Sequence, residues 1–165
     1  MSPQKTTVDW LRFRTQTEPR DVLEALRPMY GTSGEWLNLE HLNHGIMGFQ
    51  RAAKIRIGDM PIGRIDFGGE SQKGWVRVDV SGQGCEWVQD WECLDAVEAL
   101  PSAQIRRLDL ALTTWDGEVT HDQVVMAHKV GRFTIRRPPT LQQIISSDPM
   151  AGRTCYIGQR EKSDK

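Results

Sequence analysis

The 165-residue sequence has no long apolar run, three cysteines and two tyrosines. No stretch approaches the roughly 18 to 20 consecutive apolar residues that a membrane span requires. The opening MSPQKTTVDW has no apolar core like that of a secretory signal, so neither membrane insertion nor secretion is expected. Cys85, Cys93 and Cys155 are an odd number with no C-x-x-C pair. That excludes a disulfide framework or a zinc knuckle as the organising device and points to a reducing cytoplasm. P-loop, G-x-S-x-G and zinc-deaminase patterns are all missing. Gly82-x-Gly84 follows a strand pattern and precedes a helical one, but Trp87 stands where a dinucleotide fingerprint needs its third glycine. His41/His44 and His121/His128 have no companion carboxylate motif, which makes surface or capping roles more natural than metal ligation.

What the chain does contain is 38% hydrophobic and 26% charged residues, the make-up of one globular domain spanning residues 1–165. The net charge of −1 hides an asymmetry. From His121 to Lys165 there are eight basic residues and four acidic ones, against thirteen and eighteen before His121. A basic edge on an acidic body is one form of phosphate-binding surface, and a solvated tail rich in arginine is the other reading.

Periodicity orders the elements. Val8 to Phe13 reads as a first strand. Thr17-Glu18-Pro19 opens a helix, with the threonine as cap and Val22, Leu23, Leu26 and Met29 as its apolar stripe. Trp36 to Gly48 has no clean period and is expected to be irregular. Residues 51–57, 62–67 and 75–80 alternate as three strands of an antiparallel meander, the first two separated by Gly58-Asp59-Met60-Pro61. Gly84 to Leu100 has the spacing of one helix, with Val88, Trp91, Leu94, Val97 and Leu100 in line. Ile105 to Trp115 is the strongest strand pattern and ends at the Asp116-Gly117 turn. Thr120-x-x-Gln123 is a capping box for a helix stopped by Gly131. Arg136 to Pro139 reads as a loop, and Thr154 to Gly158 as a last strand. The predicted fold is α+β, a mostly antiparallel sheet with helices packed on one face.

A short repeat marks three strands: Arg64-Ile65-Asp66, Arg77-Val78-Asp79 and Arg107-Leu108-Asp109. Each puts an arginine and an aspartate on one strand face, either as ion pairs on a solvated surface or as part of a carboxylate site. Asp109 stands out because it faces away from Leu108, Leu110 and Leu112 on a strand expected to be central. A carboxylate there needs an arginine or a cation as partner. Magnesium or manganese suits oxygen ligands and would polarise a phosphate ester. Most of the six tryptophans are expected in the core, with Trp75 or Trp115 as a possible stacking platform for bases.

Four segments in order carry a resemblance: Val8-Asp9-Trp10-Leu11-Arg12-Phe13, Val80-Ser81-Gly82-Gln83-Gly84-Cys85, Arg106-Arg107-Leu108-Asp109-Leu110-Ala111, and Gly152-Arg153-Thr154-Cys155-Tyr156-Ile157-Gly158-Gln159-Arg160 through Ser163-Asp164-Lys165. Together they resemble the replication initiation factors of filamentous phages and rolling-circle plasmids. The resemblance implies an elaborated form of the HUH-nuclease-like, RRM-like sheet, with acidic residues in place of the histidine pair. It implies origin DNA as the partner and an endonuclease that nicks and rejoins DNA through a tyrosine, using a divalent cation. Asp109 then corresponds to the family's strand aspartate at the metal and Asp9 to its first-strand acid. The family carries its nucleophilic tyrosine on a strand following the Tyr-Ile-Gly-x-Arg segment, and this chain stops at Lys165, just before it. Gln159 stands where serine is usual, and Glu161-Lys162-Ser163 is one residue longer than the pattern.

On this reading the chain is the N-terminal part of a rolling-circle initiator. Arg153, Arg160, Lys162 and Lys165 contact DNA, and Tyr156 is the fallback nucleophile within the chain. Host replication proteins and a second copy of the chain are further candidate partners. The alternative is a phage or plasmid module that binds DNA or a host protein without catalysis.

Overall fold

The computed structural model describes residues 5–113, 119–132, 140–148 and 153–157. Their elements run β1 (Lys5–Thr15), α1 (Pro19–Leu26), a 3-10 segment (Arg27–Trp36), β2 (Leu37–Leu42), β3 (Arg51–Ile57), β4 (Met60–Phe67), a 3-10 turn (Glu70–Gln72), β5 (Val76–Val80), α2 (Gly82–Glu86), α3 (Leu94–Glu98), β6 (Gln104–Thr113), α4 (His121–Lys129), β7 (Leu141–Ile144) and β8 (Thr154–Ile157). Residues 6–112 form one compact unit; the other is built around α4, β7 and β8.

The first unit is a six-stranded sheet in the order β2-β3-β4-β5-β1-β6. The predicted meander is its centre, since β3, β4 and β5 pair antiparallel in sequence. β1 pairs antiparallel with β5. The two faces of the sheet differ in chemistry at adjacent registers. Phe13, Val78, Ile65 and Ala53 stand side by side across four strands, all fully buried. One residue along, Arg12, Asp79, Arg64, Lys54 and Glu40 form a row across five strands. Strand alternation separates the two rows, and burying each large side chain of the apolar one contributes about 1.5–3 kcal/mol.

The predicted stripe Val22, Leu23, Leu26 and Met29 is buried in the core, together with Tyr30. The expected threonine cap on α1 is not formed. Glu18 is the N-cap, and Thr17 Oγ1 donates instead to Asp21 Oδ2 at 2.7 Å. The helix predicted over 84–100 is two short helices. Ser81 caps α2, accepting from Gly84 N, and Asp90 Oδ1 accepts from Glu92 N at 2.8 Å, which turns the chain before α3. Gly84 permits this packing, because a Cβ there would lie 2.1 Å from the carbonyl oxygen of Ile62.

Two further expectations are corrected. Trp36–Gly48 contains β2, which pairs with β3 from Leu37↔Ile57 to Leu42↔Ala52. β6 lies at the end of the strand order rather than in its centre, and this edge position leaves Leu108 and Leu110 45% and 66% exposed.

In the second unit, α4 carries the predicted capping box between Thr120 and Gln123. β7, which the sequence reading did not foresee, pairs antiparallel with β8 from Leu141↔Ile157 to Ile144↔Thr154. The Asp116-Gly117 turn, the Arg136–Pro139 loop and the predicted strand end at Gly158 lie outside the described residues. Among the described residues, no helix is long and apolar enough to cross a membrane.

Candidate functional site

The Arg-x-Asp repeat assembles on the charged side of the sheet. On β4, Arg64 Nη2 lies 2.8 Å from Asp66 Oδ1; on β5, Arg77 Nη2 lies 2.7 Å from Asp79 Oδ2. Arg77 also reaches across to Asp66, with Nη1 3.6 Å from Oδ2, and Arg12 of β1 reaches Asp79 at 2.5 Å. Trp10 adds its indole N–H to Asp79 Oδ1 at 3.1 Å. Each aspartate therefore answers to two strands, so the repeat is at once an ion pair along a strand and one between strands.

Burial makes these pairs consequential. Asp66 is fully buried and accepts from the backbone N–H of Ile46 at 3.1 Å as well as from Arg64. A charge removed from water to that extent is tolerable only when its oxygens are filled, as they are here. Arg64 also donates to the carbonyl of His44, so this pair fastens the segment after β2 over one end of the charged side.

The array continues to β6. The Arg107 guanidinium lies 5.2 Å from the centre of the Trp10 ring and holds Asp109 through Nε, 2.8 and 2.9 Å from its two oxygens, and through Nη2 at 2.5 Å. That hydrogen bonding keeps the Asp109 carboxyl below the usual carboxylate range, and the charges of Arg107 and Arg12 act in the same direction. At the other end of β1, Arg14 stacks 4.2 Å from the centre of the Trp75 ring and donates to Gln104 Oε1 at 2.9 and 2.7 Å. Among the described residues Arg14 has no carboxylate ion pair, so its charge is available to an anion. Gln104 thus lies beside Arg14 and Arg107 beside Trp10, contacts that run in opposite directions along β1 and β6.

Asp9 is exposed, and its Oδ1 lies where a side chain at Gly82 would have to pass. Burial, then the negative charge of Asp9 and more weakly that of Asp109, pushes the Cys85 thiol up to about 12. Both predicted aspartates thus act on the Cys85 thiol, Asp9 the more strongly. Magnesium ordinarily takes one or two carboxylates, with water and substrate phosphates completing its shell. Asp9 and Asp109 suffice in number, but Arg107 occupies both oxygens of Asp109. They fit a cation only when that guanidinium withdraws. Among the described residues no group of three or more His, Cys, Asp or Glu is gathered as a metal cage.

Tyr30 is fully buried, which excludes it as a nucleophile toward an external substrate. Tyr156 lies on β8 opposite Gln142 and is 36% exposed. Arg153, just before β8, is exposed and bonded to Asp122 Oδ1 at 3.1 Å. Arg160, Lys162 and Lys165 lie outside the described residues.

Neither a family model nor a curated protein matches the sequence. A solved structure does: the rolling circle replication initiator protein from Geobacillus stearothermophilus is similar with a TM-score of 0.67 at 22% identity, covering 96% of this chain and 64% of that one. The two proteins share a fold. This chain spans about two thirds of the initiator's length, and nearly all of it takes part in the likeness. The α+β architecture predicted from periodicity is thereby established.

Sequence reasoning identified the Arg-x-Asp repeat and Asp109, but missed Arg12, Arg14 and Trp10. Their signal was the alternation of Trp10, Arg12 and Arg14 with Leu11, Phe13 and Thr15 along β1, which marks a strand with one apolar and one charged side.

Proposed function

We propose that this chain is the N-terminal part of a protein that initiates rolling-circle DNA replication, binding origin DNA and supporting a metal-dependent nicking and joining reaction by a tyrosine. The observation that carries this reading is the fold likeness over 96% of the chain to a rolling-circle replication initiator. The four sequence segments that resemble such initiators support it independently. The charged side of the sheet supplies a chemical basis. Its carboxylates are largely matched by arginines, while Arg14 on Trp75 presents cationic and aromatic surface together, the combination that holds single-stranded nucleic acid.

In this reading Asp9 and Asp109 would hold the divalent cation, magnesium or manganese, which when bound polarises the scissile phosphate. Arg107 must then leave Asp109, and a DNA phosphate is a natural acceptor for the released guanidinium. Arg153, Arg160, Lys162 and Lys165 contribute phosphate contacts. The nucleophile belongs to a strand after Lys165, with Tyr156 as the in-chain alternative. Host replication proteins and a second copy of the chain remain partners to be sought, and the reducing cytoplasm is the compartment in which such a protein works.

The full chain should be titrated into labelled fragments tiling its own gene and flanks, then incubated with supercoiled DNA of the same region and manganese. Salt-dependent binding to one fragment, without a covalent adduct, is expected. No preference for any fragment would sink the origin-binding reading, and an adduct mapped to Tyr156 would place the nucleophile within the chain.

One observation favours the alternative of a non-catalytic binding module for DNA or a host protein. Asp109 is already held by Arg107 through three hydrogen bonds. If manganese neither stabilises the chain nor alters DNA binding, the module is the better description.

A further inference from the structure

The three cysteines sit in three different chemical settings. Cys85 is buried, its thiol pushed up by burial and by neighbouring carboxylates. Cys93 is half-buried with its Sγ 3.4 Å from Asp90 Oδ2, and hydrogen bonding to that carboxylate holds its proton in place and raises its pKa. Cys155 differs in kind. Its Sγ on β8 lies 3.4 Å from Nε2 of His121, the first residue of α4. On the far side of the imidazole, Nδ1 faces Asp122 Oδ1 at 3.4 Å.

This is an ordered relay. The hydrogen bond with His121 and the charge of Arg153 keep the Asp122 carboxyl low and ionised. A carboxylate beside Nδ1 favours the tautomer with its proton on that nitrogen, which leaves Nε2 as an acceptor directed at sulfur. The ring is well fixed, with the His121 side chain 12% exposed. Cys155 itself is half-buried rather than enclosed, which leaves its sulfur partly open to solvent.

We propose that Cys155 is the reactive thiol of this chain, a site of mixed-disulfide formation with small disulfides, with His121 as its base and Asp122 orienting that base. In the reaction His121 Nε2 takes the thiol proton, and the Cys155 sulfur attacks one sulfur of the incoming disulfide. A new S–S bond forms as the reagent's own S–S bond breaks. The departing thiolate then recovers the proton from His121. One thiol and one disulfide enter and one of each leaves, so no oxidant beyond the disulfide is required. A thiol without a base is only a few per cent thiolate at neutral pH, so full activation is worth roughly 10- to 30-fold in rate.

The test is the reaction of the intact chain with 5,5′-dithiobis(2-nitrobenzoate) at pH 7, followed by release of the coloured thiolate and peptide mapping. One thiol per chain should react in a fast phase and map to Cys155. Cys155→Ser should remove that phase, His121→Gln should slow it about tenfold, and Asp122→Asn should slow it severalfold. A fast phase that survives Cys155→Ser overturns the proposal, as does an unchanged rate in both His121→Gln and Asp122→Asn. Should His121→Gln lose its helical signal, Asp122→Asn, which leaves the imidazole in place, decides the matter alone.

Discussion

Arg107 closes on Asp109 from two nitrogens, and the carboxylate it holds is the one a divalent cation would need. Arginine and metal are alternative occupants of the same oxygens.

Metal binding should therefore be held back by Arg107. In thermal melts, manganese should stabilise Arg107→Gln more than the parent chain and should not stabilise Asp109→Asn. Equal shifts in all three proteins would show that Asp109 is no ligand and that its role is to pair with Arg107.

Asp66 should be among the most costly side chains to neutralise. It is fully buried between Arg64, Arg77 and the Ile46 N–H. Asp66→Asn leaves two arginines facing an uncharged group, a loss of about 3–5 kcal/mol on urea unfolding. Asp59→Asn, on an exposed turn, should cost less than about 1 kcal/mol. Similar midpoints for the two variants would contradict the buried array.

Tyr30 has a fully buried side chain whose hydroxyl has no hydrogen-bond partner among the described residues, and burial raises its pKa. Removing an unsatisfied buried oxygen relieves a desolvation cost. Tyr30→Phe should thus be neutral or more stable by about 1 kcal/mol, measured by the urea midpoint. A clear destabilisation would mean that the hydroxyl is satisfied.

Cys85 links stability to alkaline pH. Burial and then the charge of Asp9 push its folded-state thiol up to about 12, above the ordinary thiol value near 8.5. The folded chain therefore keeps a proton that the unfolded chain gives up, and the sign follows: this contribution is complete below about pH 8.5 and is lost as pH rises toward 12. Melting temperatures between pH 8 and 10 should fall more steeply for the parent than for Cys85→Ala, whatever cavity cost shifts both of the variant's values. Parallel slopes would remove the thiol from the account.

Much of the sheet was legible because β3, β4, β5 and β6 alternate apolar with charged residues, and the pleat turns that alternation into two faces. β2 was not, because Leu37-Asn38-Leu39-Glu40-His41-Leu42 acquires its strand character from pairing with β3. The single helix over 84–100 failed for a local reason, since Asp90 takes its hydrogen bonds from the backbone and the thiol just after it. At the candidate site, the repeat exposed Asp66, Asp79 and Asp109, but pairing Arg12 with Asp79 required the register of β1 on β5, a contact 67 residues apart. The exposure of Leu108 and Leu110 was equally hidden, because nothing in a strand's own residues says that it lies at an edge.

The strand order β2-β3-β4-β5-β1-β6 sets a timetable for folding. β2 to β5 need only neighbours close in sequence and can pair as they emerge. β1, which precedes the meander in sequence, must wait for β5 before it has a partner, and β6 must then wait for β1. Until that insertion Arg12 and Trp10 have no Asp79, and half of the charged array does not exist. Shortening the chain from its N-terminus would therefore do more than remove a strand. It would detach β6, and Asp109 with it, from a meander that could still form without them.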